Sequence, residues 1–463
     1  MALPATTRAE LGALLRLAAP LALATAGQAT MGLVDTAVCG RAGGAVLAGA
    51  GLGNSVFLAV SILGMGLMMG LDPLVAQAVG AGDSRAARRH LWQGIWLALL
   101  VGAALAIPSV LAGRALLPLG IAPGVVSQAQ RFLWARAPSL PAFLYFVAAR
   151  AYLQGLARTR ALLVTTLLAN LANLLLDLLL VFGGAGLPPL AGPLRSIPPL
   201  GAAGSGLSTA LVTLLQALVL AAAVREVEVE GGARGLRAPL RAEMLRALRV
   251  GLPIGLHMAA EVGVFALVGV LAARLGREAV AAHQVALALA SATFTFALGL
   301  GNAAAVRVGW AVGARDRRAA RRTGLTAFGA GAGVMSLGAL AFALFPGHLT
   351  RLMTSDLAVG SVALRLLRVA AAFQVADGVQ AVGAGVLRGA GDTRFTFLAN
   401  LAGHWGVGLP LALALGLFGP YGISGLWWGL CAGLSTVALA LLVRFTRLSA
   451  REIEPLAGRA AEV

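Results

Sequence analysis

Apolar residues along this chain run in blocks of about twenty with polar residues gathered between them, the pattern of helices that cross a hydrocarbon core of about 30 Å. About twelve such blocks are predicted, centred near Ala24, Gly64, Leu99, Phe143, Ala172, Leu211, Val262, Ala292, Val334, Val379, Gly408 and Ala432. Polar residues inside the blocks keep to one face. In the fifth block Thr166, Asn170, Asn173 and Asp177 follow steps of four, three and four, which aligns them on a helix. Thr25, Gln28, Gly32 and Asp35 do the same in the first block. The seventh carries His257 and Glu261 one turn apart, and the tenth Gln374, Asp377 and Gln380 three apart.

The pattern repeats. GAGDSRAARR at Gly80–Arg89 returns 233 residues later as GARDRRAARR at Gly313–Arg322, and GLARTR at Gly155 pairs with GAGDTR at Gly389. A duplicated six-span unit follows, hence an all-α integral membrane protein of two six-helix lobes, 1–224 and 248–463. The segment between them, 225–247, is strongly charged and holds glycine and proline, so it is expected to be a cytoplasmic tether leaving the lobes free to rock. The mid-span acids are not products of the duplication. Asp35 aligns with Val268, Glu261 with Gln28, Asp377 with Phe143 and Asp177 with Leu411.

Composition agrees with a bilayer as solvent: 59% of residues are hydrophobic, 12% are charged and 61 are glycine. The net charge of +18 comes entirely from arginine, with no lysine. Two-thirds of the arginines fall in loops on one side, which by the positive-inside rule puts both termini in the cytoplasm. Nucleic acid, which needs a contiguous exposed basic face, is not an expected partner. The first apolar run, Ala18 to Val34, leads into Asp35 rather than a cleavage site and reads as a span. GAGLGN at Gly49 sits in an apolar helix without a preceding strand, so helix packing is expected there. Without lysine there is no Walker A motif. Cys39 and Cys431 lack zinc or disulfide spacing, and the five histidines form no ligand-spaced cluster. Neither an enzyme nor a cofactor is expected. Arg150 and Arg307, both within spans, are expected to cap loops or snorkel.

A carboxylate at mid-bilayer depth costs about 2.5–3.5 kcal/mol on insertion scales. Asp35, Asp72, Asp177, Glu261 and Asp377 therefore each require a role. One role is a hydrogen-bond tie between helices, a reading that fits Asp72 before Pro73 as well as any other. The other is ion exchange, because a carboxyl drawn out of water readily trades a proton for Na⁺ or a cationic solute. Asp35, Gln28, Asn170, Asn173 and Asp177 can converge in the amino-terminal lobe, with Thr209 supplying a further oxygen. In the carboxy-terminal lobe the candidates are His257, Glu261 and Asp377, with Gln284 beside His283 within reach of a cavity.

Several segments taken together resemble the MATE (multidrug and toxic compound extrusion) transporters, in particular the NorM-like branch. They include MGLVDTAVCG at Met31, DPLVAQAVGAGD at Asp72, NLANLLLDLLLVFG at Asn170, GLPIGLHMAAEVGVFA at Gly251 and FQVADGVQAVGAGVLRGAGDTR at Phe373. The resemblance runs from about Leu14 to Phe445 and implies a V-shaped bundle of twelve helices that acts as a monomer in a bacterial inner membrane. It further implies export of amphipathic, cationic small molecules in exchange for H⁺ or Na⁺. The implied amino-lobe cation site is Asp35, Asn173, Asp177 and Thr209, and the implied carboxy-lobe site is Glu261 with Asp377. Where Na⁺ rather than H⁺ is the coupling ion, one of these acid pairs, Glu261 with Asp377 or Asp35 with Asp177, is expected to hold it. Where relatives often carry tyrosine, Phe373 offers no hydroxyl. The alternative of a flippase for a lipid-linked precursor calls for a basic cavity, whereas the mid-span charges here are acidic.

Overall fold

The computed structural model describes residues 4–115, 120–186, 188–229, 232 and 236–458. Among the described residues, twelve helices are long and apolar enough to cross a membrane. They are α1 (Thr7–Ala42), α2 (Gly44–Gly80), α3 (Ser84–Arg114), α4 (Pro123–Gly155), α5 (Thr159–Phe182), α6 (Ala202–Arg225), α7 (Arg241–Arg274), α8 (Arg277–Gly313), α9 (Arg317–Leu344), α10 (Leu357–Gly389), α11 (Thr393–Gly416) and α12 (Gly422–Leu448). Each predicted block lies inside one of them. The duplication shows in their lengths, since α2 and α8 both have 37 residues, α4 and α10 both 33, and α5 and α11 both 24.

These helices are inverted relative to those of a water-soluble bundle. On α5, Leu167, Leu171 and Leu175 are 63%, 58% and 58% exposed while Asn173 and Asp177 are fully buried. Leucine faces outward because lipid tails are as apolar as leucine, and polar atoms turn inward because only protein can bond them there.

The chain divides into two compact units. The first comprises Leu23–Leu71 and Ser84–Gly255; the second comprises Met1–Ala22, Asp72–Asp83 and Leu256–Val463. In the first unit, a Cβ on Gly53 would lie 2.7 Å from the Phe132 ring, so the glycines of GAGLGN serve helix packing as expected. In the second, a Cβ on Gly389 would lie 2.3 Å from the Ala305 carbonyl oxygen, which lets α8 and α10 touch backbone to backbone. Two short pieces from the first half of the sequence pack within this second unit. Gln77 at the end of α2 donates to the Gly389 carbonyl at 3.0 Å and accepts from Leu456 N at 2.7 Å.

The segment 225–247 departs from the expected free tether; its residues 230, 231 and 233–235 lie outside the described part. The remainder is fastened to α3. Arg88 Nη2 donates to the carbonyls of Val224 (3.0 Å) and Val227 (2.7 Å), and the Gln93 amide brackets Ala238 O and Leu240 N at 2.9 and 2.8 Å. Trp96 Nε1 holds the Arg237 carbonyl at 2.8 Å. Non-helical backbone at a membrane surface needs partners for its polar groups, and these side chains supply them.

Candidate functional site

In the first unit, helix periodicity brings α1, α5 and α6 together through their polar faces. Asn173 on α5 donates its Nδ2 to Asp35 Oδ1 of α1 at 2.5 Å and to Asp177 Oδ2, one turn along its own helix, at 3.1 Å. Thr209 on α6 reaches Asp35 Oδ2 at 3.5 Å, and Ser208 donates to the Asn173 carbonyl at 3.4 Å. The two carboxyls adjoin. Asp177 is fully buried and Asp35 half-buried, and two carboxylates so close repel, so the arrangement is stable when a proton or a cation lies between them. Asp177 Oδ1 and Asn173 Oδ1 remain buried without a hydrogen-bond partner, two hard oxygen atoms of the kind that hold such a cation.

Not every residue of the two stripes joins this cluster. Gln28 is exposed, and Asn170 spends its amide on the carbonyls of Gly27 (3.0 Å) and Thr166 (2.9 Å). A cation outside the sequence-based set of site residues is also present. Arg136 of α4 is 8% exposed, donates Nη1 to the Thr213 hydroxyl at 2.9 Å and lies over the Phe57 ring at 4.6 Å. Thr213 in turn donates to the Thr209 carbonyl at 2.7 Å, which links the guanidinium to the Asp35 cluster.

The second unit holds a polar cluster of different chemistry. Glu261 on α7 meets His257 Nε2 at 3.2 Å, accepts from Gln380 Nε2 of α10 at 3.2 Å, and receives Asn400 Nδ2 of α11 at 3.5 Å. Asp377, buried one turn before Gln380, acts electrostatically on Glu261. Gln374 is drawn aside to the Thr293 hydroxyl at 2.7 Å. Phe373 is buried against Trp427, ring centroids 5.6 Å apart, and Trp427 also donates to His283 at 3.2 Å. Gln284 points away from this core and is exposed, so the expected pair with His283 is split.

His404 is the member that sequence reasoning missed. A π-helical stretch, Leu401–Gly408, interrupts α11 and turns the imidazole fully inward, 6.2 Å from the Phe265 ring. Neither of its ring nitrogens has a hydrogen-bond partner, and the same holds for His257 Nδ1, Asn400 Oδ1 and Gln380 Oε1. With the 234-residue offset His404 is the counterpart of Asn170, so the repeat alignment carried the signal. Among the described residues, no three His, Cys, Asp or Glu side chains converge as metal ligands, so an ion at either cluster would rely on amide and hydroxyl oxygens as well.

The expectation that Arg307 caps a loop or snorkels is corrected. It is buried in an ion pair with Glu10 (2.7 Å), an acid absent from the sequence-based set. Asp72 also serves packing in the second unit, 3.3 Å from Arg388.

Among the described residues, twelve apolar helices and two polar clusters, each with one buried acid, Asp177 or Asp377, define a multi-pass membrane transporter of the MATE fold. Solved MATE structures superpose on the chain: one in a straight conformation with a TM-score of 0.85 at 20% identity, covering 96% of this chain and 97% of that one. A eukaryotic MATE transporter gives 0.81 at 20% identity, covering 97% and 99%. The MatE family model matches residues 20–179 and 253–414, and the chain belongs to that family. It is 36% identical over 454 residues, 96% of this chain and 90% of the other, to a Pseudomonas aeruginosa protein named "Probable multidrug resistance protein NorM". It is 31% identical to the "Multidrug resistance protein NorM" of Aliivibrio fischeri, covering 94% of both chains.

Proposed function

We propose that this protein is a secondary active antiporter that exports amphipathic, cationic small molecules in exchange for H⁺ or Na⁺. It would work by alternating access of its two six-helix lobes, with its arginine-rich loops in the cytoplasm. The observation that carries the reading is a pair of polar clusters inside membrane-spanning helices, each joining a buried acid to a half-buried one, Asp177 with Asp35 and Asp377 with Glu261. A buried carboxylate is costly unless it trades charge, and a carboxylate that releases its ion when a cation arrives couples the two fluxes. The NorM relatives, named for multidrug resistance, support small organic molecules as cargo.

The two clusters differ in which ion they suit. Oxygen donors around Asp35 fit a hard cation, whereas two imidazoles beside Glu261 fit protons. One charge crossing about 100 mV supplies about 2.3 kcal/mol, enough for roughly a fiftyfold gradient.

The test is efflux of a fluorescent cation from proteoliposomes under separately imposed H⁺ and Na⁺ gradients. Glu261→Gln and Asp377→Asn are each expected to abolish gradient-driven exchange. Undiminished exchange in both variants would overturn the assignment, and activity in a lipid-scrambling assay instead of cation efflux would favour a flippase.

A further inference from the structure

The first unit carries a groove of about 500 Å³ apart from its acidic cluster. Its walls are one stripe of α3 (Leu97, Leu100, Val101, Ala104) and one of α7 (Met244, Leu245, Leu248), closed at one end by Pro239 and Arg241. Steps of three and four on each helix keep both stripes facing the same gap. Leu97 forms the floor at 3% exposure, while Leu100 and Leu245, 61% and 41% exposed, form the rims.

The polar end is constructed rather than incidental. Gln93 and Trp96, one turn before Leu97 and Leu100 on α3, fix the backbone of residues 237–240 by three hydrogen bonds of 2.8–2.9 Å. That fixed strap sets Arg237 over the Trp92 ring at 5.0 Å and starts α7 with Arg241. The acid of the same turn, Glu243, is engaged by Arg89 at 2.8 Å, so Arg241 keeps its charge uncompensated by it.

We propose that this groove is a binding site for an acidic glycerophospholipid of the cytoplasmic leaflet, one acyl chain lying along the Leu97–Ala104 stripe and the phosphate at Arg241 and Arg237. The occupant follows from the chemistry. Apart from Arg241 at its end the lining is apolar, Arg237 lies on the adjoining strap held by Trp96, and tryptophans such as Trp92 and Trp96 favour the headgroup level of a bilayer. Cationic cargo would find no acid there. An anionic headgroup finds arginine forks that match phosphate oxygens. Placement in the cytoplasmic leaflet rests on the orientation proposed above; binding itself does not.

Native mass spectrometry of the purified, delipidated protein, reloaded in detergent with phosphatidylglycerol, cardiolipin or phosphatidylcholine, tests the proposal without reference to leaflet or transport. Wild-type protein should retain the acidic lipids about thirtyfold more than phosphatidylcholine, the effect of two arginines near an anionic headgroup. The double variant R237Q/R241Q should retain all three lipids equally, and Ala104→Trp, which fills the groove, should retain none above background. Both variants should match wild type in lipid-free melting temperature. Equal retention of acidic and zwitterionic lipids by wild type would overturn the site. So would selectivity that survives R237Q/R241Q, or lipid retention unchanged in Ala104→Trp.

Discussion

Arg307 grips both carboxylate oxygens of Glu10, Nε to Oε1 at 2.7 Å and Nη2 to Oε2 at 2.8 Å, across 297 residues of sequence. Thr323 adds a third bond to Oε1 at 2.9 Å, and the Glu10 side chain is fully buried. A guanidinium fork matched to a carboxylate satisfies both charges where water cannot. Removing either partner strands the other. Glu10→Gln and Arg307→Gln are each expected to destabilise the protein by about 3–5 kcal/mol, and E10Q/R307Q to recover part of that loss. Thermal unfolding in detergent measures it, and single variants that melt like wild type would show that the pair does not tie the first helix down.

Asn173 is the hinge of the first-unit cluster because a single amide nitrogen reaches both Asp35 and Asp177. Asn173→Ala leaves two adjoining carboxyls without a common donor. A buried hydrogen bond to a charged group is worth about 1.5–3 kcal/mol, so ion-driven efflux should fall about tenfold to a hundredfold. Asn173→Asp should be worse, since it adds a third acid. Retention of full efflux by Asn173→Ala would place the cluster outside the coupling path.

Helix periodicity made the core of that cluster legible in the sequence, because Asn173, Asp177 and Asp35 could only turn inward on otherwise leucine-rich helices. It could not say which edge of each stripe finds a partner. Gln28 and Asn170 lie on the same stripes, yet one is exposed and the other bonds to backbone. Arg136 escaped notice because it sits at the edge of the fourth apolar block, where an arginine reads as a loop residue, while α4 runs for 33 residues, from Pro123 to Gly155, and encloses it. Glu10 and the strap at 237–240 depend on contacts distant in sequence, for which periodicity carries no signal. The twelve spans were readable throughout, since an apolar run long enough to cross the hydrocarbon core shows in hydropathy alone.

Arg136 is a buried cation whose Nε has no hydrogen-bond partner, supported by a threonine hydroxyl and an aromatic face rather than by a paired acid. Such a charge is retained at the expense of stability. Arg136→Met keeps much of the volume and removes the desolvated charge, so the melting temperature should hold or rise. Efflux should drop about tenfold or more, because the positive field beside Asp35 is lost. A lower melting temperature with unimpaired efflux would mean that Arg136 is structural.

His404 presents the same tension in the second unit. An imidazole with neither nitrogen bonded, fully buried, costs about 1–3 kcal/mol in lost hydrogen bonding, and the π-helical turn that points it inward interrupts regular α-helical bonding. Its electrostatic neighbours are Glu261 and His257. An imidazole so placed can hold a proton within the field of Glu261, which a hydrocarbon side chain cannot do. His404→Leu should therefore be as stable as wild type or more so, yet lose at least about tenfold in H⁺-driven efflux. Equilibrium binding of a fluorescent cation should change far less than the rate. If His404→Leu pumps at the wild-type rate under a proton gradient, the residue fills space and the exchange at Glu261 proceeds without it.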